Sequence, residues 1–166
     1  MSKSIFSLIF IFLCSVAFSQ TGNPDLAEEY FKSAKYKKAL EEYKLLYASN
    51  SNRSTYIEKI SSCYFALEEY KNAFVVLREG LEKFDDSLEL YVFRGEYLSA
   101  FGEHKLAVED YSVAIDLVKE NSRLAEILSF RGVTKSQYRD FEGATTDLEK
   151  AFGLDSNNLI VLNNYG

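Results

Sequence analysis

The chain has 166 residues, of which 47% are hydrophobic and 27% charged, a composition typical of a folded globular protein. Acidic residues outnumber basic ones, 25 to 19, and the formal net charge is −6. Because phosphate binding needs clustered lysine and arginine, this balance argues against a nucleic-acid partner.

Residues 1–19 have the pattern of a secretory signal peptide. Lys3 and the free amine form a short positive region, and the apolar run over residues 5–18 is interrupted only by two serines. Small residues at positions 17 and 19 fit a signal-peptidase site and place the cut before Gln20. We therefore expect export to the periplasm or secretion, with no integral membrane segment in the mature chain.

Two alternatives to cleavage concern the same segment. A retained membrane anchor is disfavoured because a helix over residues 5–18 rises about 21 Å, less than the roughly 30 Å of a bilayer core. Lipid attachment at Cys14 is disfavoured because Leu13 stands where a lipoprotein signal has a small residue. After cleavage only Cys63 remains, so no internal disulfide can form, and we interpret this thiol as a small buried hydrophobe.

The remainder, residues 20–166, contains an internal repeat. Alanine recurs at Ala39, Ala73, Ala107 and Ala144, in steps of 34, 34 and 37 residues. A small residue precedes each alanine by twelve positions: Ala27, Ser61, Gly95 and Gly132. A ring precedes it by three: Tyr36, Tyr70, His104 and Phe141. A large residue follows it by four: Tyr43, Leu77, Tyr111 and Leu148. Fixed periods of this length indicate stacked structural repeats.

Each period predicts two helices joined by a tight turn. In residues 54–87, apolar and small residues recur every three to four positions, first at Ile57, Ile60, Ser61 and Tyr64 and then at Tyr70, Ala73, Leu77 and Leu81. Glu68 and Glu69 mark the turn between these two stripes. The small residues predict close helix crossings, because a larger side chain there would separate the two backbones.

These columns resemble the tetratricopeptide repeat (TPR) family. Its pattern places a small residue at position eight, an aromatic at seventeen, alanine at twenty, a large residue at twenty-four and a small one at twenty-seven. The resemblance implies an all-α, right-handed superhelical solenoid of antiparallel helix pairs, with four hairpins and the start of a fifth. The repeats would span about 20–53, 54–87, 88–121 and 125–158, with a partial repeat over 159–166.

The chain departs from the family pattern in several places. The late proline of each repeat is missing, Leu46 is large where a small residue is usual, and Lys135 replaces an aromatic. Three extra residues, 122–124, separate the third and fourth repeats. We therefore expect looser turns and one local change in superhelical pitch.

A second pattern links the two helices of a hairpin. Arg94 and Asp110 are sixteen residues apart, and so are Arg131 and Asp147. The equivalent residues of the second repeat are Ile60 and Val76, so charge and apolar character change together. This predicts side-chain contact across each hairpin, with bidentate arginine–carboxylate pairing as one geometry. A ligand-binding arginine is the alternative.

The last residues, 159–166, begin a fifth repeat and stop at its small position. Repeat arrays end in a polar cap, but this segment is apolar. Either it forms a short helical lid on the fourth repeat or the chain is part of a longer protein. We favour the second interpretation.

Catalytic groups do not converge in this sequence. The single histidine, His104, occupies the aromatic column, and no cysteine pair or glycine-rich phosphate loop is present. We expect no catalytic residues, no metal and no cofactor.

The resemblance instead implies a concave groove lined by the first helix of each repeat. The residues assigned to it are Glu28, Phe31, Glu58, Ser62, Phe65, Glu89, Val92, Glu96, Ser99, Ser129, Val133 and Ser136. This lining is small, partly apolar and acidic, so it would suit an extended or helical protein segment with basic and apolar residues. Family members that grip acidic C-terminal tails need lysine and arginine here, so that role is not expected.

The predicted function is a non-enzymatic scaffold or adaptor in the cell envelope. Alternatives are a sensor or regulatory portion of a longer signalling protein or enzyme, self-association through the ends of the array, and a solvated groove without a ligand. The sequence leaves the partner and the oligomeric state open.

Overall fold

The computed structural model describes residues 21–165. The predicted signal peptide and Cys14 lie outside the described residues. The described chain consists of α-helices and short turns, without a strand. The helices are α1 (Pro24–Lys32), α2 (Tyr36–Ser49), α3 (Ser54–Ala66), α4 (Tyr70–Lys83), α5 (Leu88–Ala100), α6 (His104–Leu117), α7 (Asn121–Gln137), α8 (Phe141–Leu154) and α9 (Leu159–Tyr165).

Successive helices pair into four hairpins, α1/α2, α3/α4, α5/α6 and α7/α8, and α9 packs on both α7 and α8. Each hairpin also packs on the next, through α2 with α3, α4 with α5 and α6 with α7. The first helices contact one another as well, α3 with α5 and α5 with α7. We call the surface formed by α3, α5 and α7 the A-helix face. The predicted all-α array of helix pairs is thus confirmed.

The core is a series of interfaces along the array. One buried cluster joins the first and second hairpins around Ala39, Tyr43 and Cys63, and the next joins α3 and α4 to α5 around Leu77 and Leu90. Two more follow, one around Tyr111 and one under α9. All four repeat alanines are buried. Cys63 is fully buried, and burial raises the pKa of its thiol to about 11, which fits its interpretation as a packing residue.

A residue with positive φ forms the turn of every hairpin. Ala34, Glu68, Gly102 and Arg139 have φ values of 55°, 61°, 82° and 73°. In the second hairpin the Glu69 amide then donates to the Tyr64 carbonyl at 2.9 Å, which closes the end of α3. Only Gly102 of the four lacks the Cβ that strains this conformation.

The small residue twelve positions before each alanine makes room for a large side chain of the partner helix. A Cβ added to Gly95 would lie 2.8 Å from Cε1 of Tyr111, and one added to Gly132 would lie 2.8 Å from Cγ of Leu148. At Gly132 the Ala144 carbonyl oxygen is also close, at 3.1 Å. The crossing is therefore tight because the ring or leucine four residues after each alanine packs into it.

The three extra residues between the third and fourth repeats are helical. Helix α7 begins at Asn121, not at 125, and has 17 residues where α3 and α5 each have 13. Only residues 118–120 connect it to α6. The expectation of a looser turn here is wrong, because the insertion extends α7 by about one turn.

Both predicted arginine–aspartate pairs are in contact. Arg94 donates to Asp110 from Nε at 2.7 Å and from Nη2 at 2.6 Å. Arg131 donates to Asp147 from the same two nitrogens, each at 2.7 Å. In the second hairpin, Ile60 and Val76 pack in one apolar cluster.

The fourth hairpin carries additional polar contacts around Asp147. Lys135, which replaces a typical aromatic, places Nζ 2.8 Å from the Asp147 carboxylate, and Arg131 also donates to the Ser112 hydroxyl at 3.0 Å. Burial opposes ionisation of Asp147, but hydrogen bonds from Arg131 and Lys135 outweigh it and hold the pKa of this carboxyl below its ordinary value.

Helix α9 covers the end of the fourth hairpin. Val161 is fully buried against Ala125, Leu128 and Ala151. The opposite side of the helix exposes apolar residues, including Leu159 at 74% and Leu162 at 41%. The segment thus covers the fourth hairpin as a short helix. None of the helices in residues 21–165 combines the length and apolar character needed to cross a membrane.

Candidate functional site

Two clefts open side by side on the A-helix face. The α3–α5 cleft has a volume of about 160 Å³ and is lined by Ser61, Ser62, Phe65, Ala66, Ala73, Leu77, Phe93, Glu96 and Tyr97. The α5–α7 cleft has a volume of about 290 Å³ and is lined by Glu96, Ser99, Ala100, Tyr111, Phe130, Val133, Thr134, Gln137 and Asn164. Glu96 lines both, so this residue marks the boundary between them.

The α3–α5 cleft exists because α3 presents small residues toward α5. The hydroxyls of Ser61 and Ser62 both donate to the Glu58 carbonyl, each at 2.8 Å. Their donor protons are therefore used within the helix, and these serines offer a ligand little beyond weak acceptors. The base of the cleft reaches the buried residues Ala73 and Leu77.

An aromatic ladder contributes two rings, Phe65 and Tyr97, to the wall of this cleft. It consists of Phe65, Tyr70, Phe101, Tyr97 and Phe74, with successive ring centroids 5.3, 4.9, 4.7 and 5.2 Å apart. Tyr97 stacks on two of these rings, which fixes its orientation, whereas Phe65 remains 46% exposed. The wall is therefore preorganised and still offers apolar surface to a ligand.

Carboxylates dominate the electrostatics of the face. The pKa of Glu96 is raised by burial, against the attraction of Arg123, and repulsion from Glu89 makes a smaller contribution in the same direction as burial. The pKa of Glu58 is also raised, by burial first and by repulsion from Glu89 second, with Ser54 and Lys59 opposing the shift. Glu96 is itself solvent-exposed, so the walls of the two clefts surround its side chain without enclosing it. A cation placed between these carboxylates would relieve both effects.

Arg123 supplies compensating charge at one edge of the face. It donates to Glu126 at 2.7 Å and also bonds Glu89, while the Asn158 side chain donates to the other oxygen of Glu126 at 3.0 Å. Arg123 lies in the extra turn of α7. Sequence reasoning missed this residue because it treated the insertion as a loop; the signal was a basic residue one repeat after Glu89.

The structure brings several of the predicted groove residues together. Ser62, Phe65 and Glu96 line the α3–α5 cleft, and Ser99 and Val133 join Glu96 at the α5–α7 cleft. Glu58 lines neither cleft, but its carbonyl accepts the hydroxyl bonds of Ser61 and Ser62, and its carboxylate adds negative charge to the face. Ser136 donates its hydroxyl to the Val133 carbonyl at 2.7 Å and lines neither cleft.

Two predicted groove residues are buried, and this corrects their assignment. Val92 is only 2% exposed, because it packs in the cluster of Ala107, Tyr111 and Ile127 where α5 meets α6 and α7. Ser129 has no exposed surface, because α9 lies over it and the Asn164 side chain donates to its hydroxyl at 3.1 Å.

Glu28 and Phe31 of the first repeat serve internal contacts. Glu28 accepts hydrogen bonds from Tyr43 at 2.8 Å and from Lys59 at 3.0 Å, and these bonds lower the pKa of its carboxyl. Phe31 lies beneath the Lys59 ammonium, 4.8 Å from the ring centroid. Both residues thus tie the first hairpin to the second and line neither cleft.

Several cleft residues lie outside the set predicted from the sequence, and two of them are aromatic residues of α5. Phe93 and Tyr97 of α5 line the α3–α5 cleft. They lie four residues apart on one side of a helix, and the run of rings over residues 91–101 was the available signal.

Metal-binding groups do not converge within residues 21–165, where no cluster of three or more histidine, cysteine, aspartate or glutamate side chains is found. The Nδ1 atom of His104 is enclosed without a hydrogen-bond partner in the described part of the chain, so this ring fills the aromatic column as a packing element.

Comparisons with known proteins identify the class to which this architecture belongs. No family model and no curated protein matches the chain. Among solved structures, MamA from Desulfovibrio magneticus RS-1 is similar with a TM-score of 0.72 at 15% identity, covering 85% of this chain and 78% of that one. TTC0263, a thermophilic TPR protein of Thermus thermophilus, is similar with a TM-score of 0.72 at 21% identity, covering 84% and 76%.

A third similar structure is YrrB, described as a TPR protein with an unusual peptide-binding site. Its TM-score is 0.68 at 18% identity, and the match covers 82% of this chain and 69% of that one. At such identities the likeness concerns the fold. With the repeat columns of the sequence, it establishes this chain as a protein of the tetratricopeptide-repeat fold.

Proposed function

We propose that this protein is a non-enzymatic interaction scaffold that binds a segment of a partner protein along the α3–α5 and α5–α7 clefts. The observation that carries the proposal is the position of Glu96, which lines two adjacent clefts. Arg123 does not form an ion pair with Glu96, because it bonds Glu89 and Glu126 instead. The fold is compatible with this role, since YrrB is described as having a peptide-binding site.

The chemistry of the face supports a segment with basic and apolar residues. Exposed apolar surface at Phe65 and Val133 would supply contact area, and the carboxylates would attract basic groups and repel acidic ones. None of the residues that line the two clefts is a lysine or arginine. An acidic tail would therefore meet repulsion here without a compensating cation in either lining.

Photo-crosslinking inside the producing cell tests this proposal. A benzoylphenylalanine replacing Phe65 keeps the ring and should crosslink to a partner, whereas the same group replacing Leu106, which is exposed on α6 outside both clefts, should not. Direct titration of the purified partner should then show weaker binding to the double variant Glu58→Gln, Glu96→Gln. Equal crosslinking from both positions, or unchanged affinity of the double variant, would contradict the proposal.

We also propose that the scaffold acts in the cell envelope after export. The supporting observation is the charged, apolar and small-residue order of residues 1–19. N-terminal sequencing of the protein from fractionated cells provides the test. A periplasmic or secreted form beginning at Gln20 is expected, and a cytoplasmic form that retains Met1 would refute it.

A further inference from the structure

We propose that the α3–α5 cleft is a pocket for one long basic side chain, lysine or arginine, of the bound segment. This inference rests on the proposed function and makes it more specific, since it assigns one residue type to one cleft.

The shape of the cleft suits an aliphatic stem. Its base is formed by Ala73 and Leu77 and its sides by Phe65, Phe93 and Tyr97, so the inner surface is almost entirely apolar. Lysine and arginine bury their methylene stems against such surfaces and keep the charged group at the opening. The aromatic ladder holds Tyr97 in place, so the walls are formed before a ligand binds.

The charge at the opening suits a cation. Glu96 lies at the boundary of the cleft. The attraction of Arg123 for it exceeds the repulsion from Glu89, but Arg123 is bonded to Glu89 and Glu126, so Glu96 has no ion pair of its own within residues 21–165. Glu58, one turn before Ser62 on α3, is likewise under repulsion from Glu89. A lysine ammonium or arginine guanidinium at the opening would form an ion pair with Glu96 and would offset the repulsion from Glu89 that acts on Glu58.

Other side chains fit less well. An acidic side chain would approach Glu96 where Ser61 and Ser62 have already committed their hydroxyl protons to the Glu58 carbonyl. A purely apolar side chain would fill the cleft but would desolvate Glu96 further without compensation. The combination of an apolar interior and a carboxylate opening therefore selects for a stem that ends in positive charge.

The neighbouring cleft adds a spacing. Packed helices lie about 8–10 Å apart. A segment in the polyproline II conformation advances about 3.1 Å per residue with three residues per turn, so side chains three positions apart point the same way and would reach adjacent clefts. The α5–α7 cleft presents Ala100, Phe130 and Val133, and Ser99 already bonds Thr134 at 3.0 Å. We therefore expect an apolar residue three positions from the basic one.

Synthetic peptide libraries provide the experiment. Each library has leucine at one position, a variable residue three positions away, and a mixture of uncharged residues elsewhere. The variable residue is lysine, norleucine, arginine, citrulline or glutamate, so each basic residue has a neutral counterpart of similar length. Binding of the fluorescent libraries to the purified protein is measured by anisotropy, and we expect lysine and arginine libraries to bind about tenfold more tightly than their neutral counterparts.

Matched variants locate the effect. Glu96→Gln should abolish the preference for a basic residue, and Glu109→Gln, which removes a charge from an exposed position on α6, should leave it unchanged. Ser62→Leu should fill the cleft and weaken binding of every library. Circular dichroism confirms that each variant is folded before it is compared.

The outcomes separate the two proposals. If libraries bind in the clefts but norleucine and lysine bind equally, or if Glu96→Gln keeps the preference, the basic pocket is refuted and the scaffold proposal stands. If no library binds and the Phe65 crosslink is also absent, both proposals are refuted. If the Phe65 crosslink forms to a partner segment without lysine or arginine, the basic pocket alone is refuted.

Discussion

The second and fourth hairpins have the same architecture but join their helices with different chemistry. In α3/α4 the contact at this position is made by Ile60 and Val76, and in α7/α8 it is made by Arg131 and Asp147. The difference extends one turn further, where Lys135 adds a second cation to Asp147. We call this side-chain pair the joint of a hairpin. Helix pairing in this fold therefore tolerates either an apolar or an ionic joint.

The tolerance has a physical limit. When one side chain of an apolar pair is truncated, the free energy of unfolding falls roughly in proportion to the buried surface that is lost. The loss is therefore little more than that of the contacts of the truncated side chain. A buried ionic joint must be complete, because an unpartnered charge remains desolvated. The same position should thus respond very differently to mutation in the two hairpins.

The largest effect is expected from Asp147→Ala. It would leave the Arg131 and Lys135 charges together without their carboxylate, and we expect a loss of about 3–5 kcal/mol in the free energy of unfolding. The matched change in the second hairpin, Val76→Ala, should cost only about 1 kcal/mol. Urea denaturation followed by circular dichroism measures both, and equal losses would show that the two joints do not differ in kind.

The second-largest effect should be a different response of the two joints to acidic pH. At neutral pH, Asp147→Asn should lose up to about 3 kcal/mol, because charge-assisted hydrogen bonds are replaced by weaker ones. Since the folded pKa of Asp147 lies below its ordinary value, the ionised carboxylate stabilises the protein above the unfolded pKa of about 3.9, and this contribution disappears as the pH falls through the folded pKa.

The difference between wild type and Asp147→Asn should therefore shrink in acid. The difference between wild type and Val76→Ala should stay constant across the same series of urea titrations. A constant Asp147→Asn difference would mean that the carboxylate is not ionised in the joint.

Exchange of the small residues tests the crossings themselves. Ser61 occupies in the second hairpin the place that Gly132 occupies in the fourth. Gly132→Ser should cost about 2 kcal/mol, because Leu148 and the Ala144 carbonyl leave no room for a Cβ. Ser61→Gly should cost less than about 1 kcal/mol, mainly through helix propensity. Thermal unfolding of the two exchanges provides the measurement, and equal tolerance would contradict a tighter fourth crossing.

The hairpin turns should behave alike in both regions. Glu68 and Arg139 both have positive φ. Replacing either with glycine removes the strain of a Cβ atom at positive φ but adds a smaller cost in conformational entropy. Each change should therefore raise the free energy of unfolding by about 0.5 kcal/mol. Gly102→Ala should lower it by about 1 kcal/mol. A lower melting temperature for Glu68→Gly would show that its side chain has a role that the backbone argument omits.

The smallest effect concerns the carboxylate between the clefts. Because the pKa of Glu96 is raised, its ionised form opposes folding at neutral pH, in contrast to Asp147. Glu96→Gln should therefore stabilise the protein by a few tenths of a kcal/mol, a value reduced by solvent screening, and the gain should vanish as the pH falls below about 4.3. Glu109→Gln is the control. A destabilised Glu96→Gln would indicate a structural role for this carboxylate.

Part of the site was predictable because its pattern repeats. The position of Phe65 near the end of a first helix, and of Glu96 and Val133 at related places in the following repeats, follows from the columns in the sequence. Val92 and Ser129 were misplaced because repeat position alone does not record which neighbouring helix covers a residue. Arg123 was missed because residues 122–124 interrupt the repeat period, so they align with no position of the other repeats.

The sequence by itself determined the paired helices, the tight crossings and the arginine–aspartate joints, because these depend on side-chain size and charge at fixed spacing within one hairpin. Only the tertiary structure decided which first-helix residues stay accessible, since burial of Val92 depends on α6 and α7 and that of Ser129 depends on α9. It also decided the carboxylate environment of Glu96, which arises where α5 meets α3 on one side and α7 on the other. Contacts between hairpins involve residues about one repeat apart, and no local pattern specifies their distances.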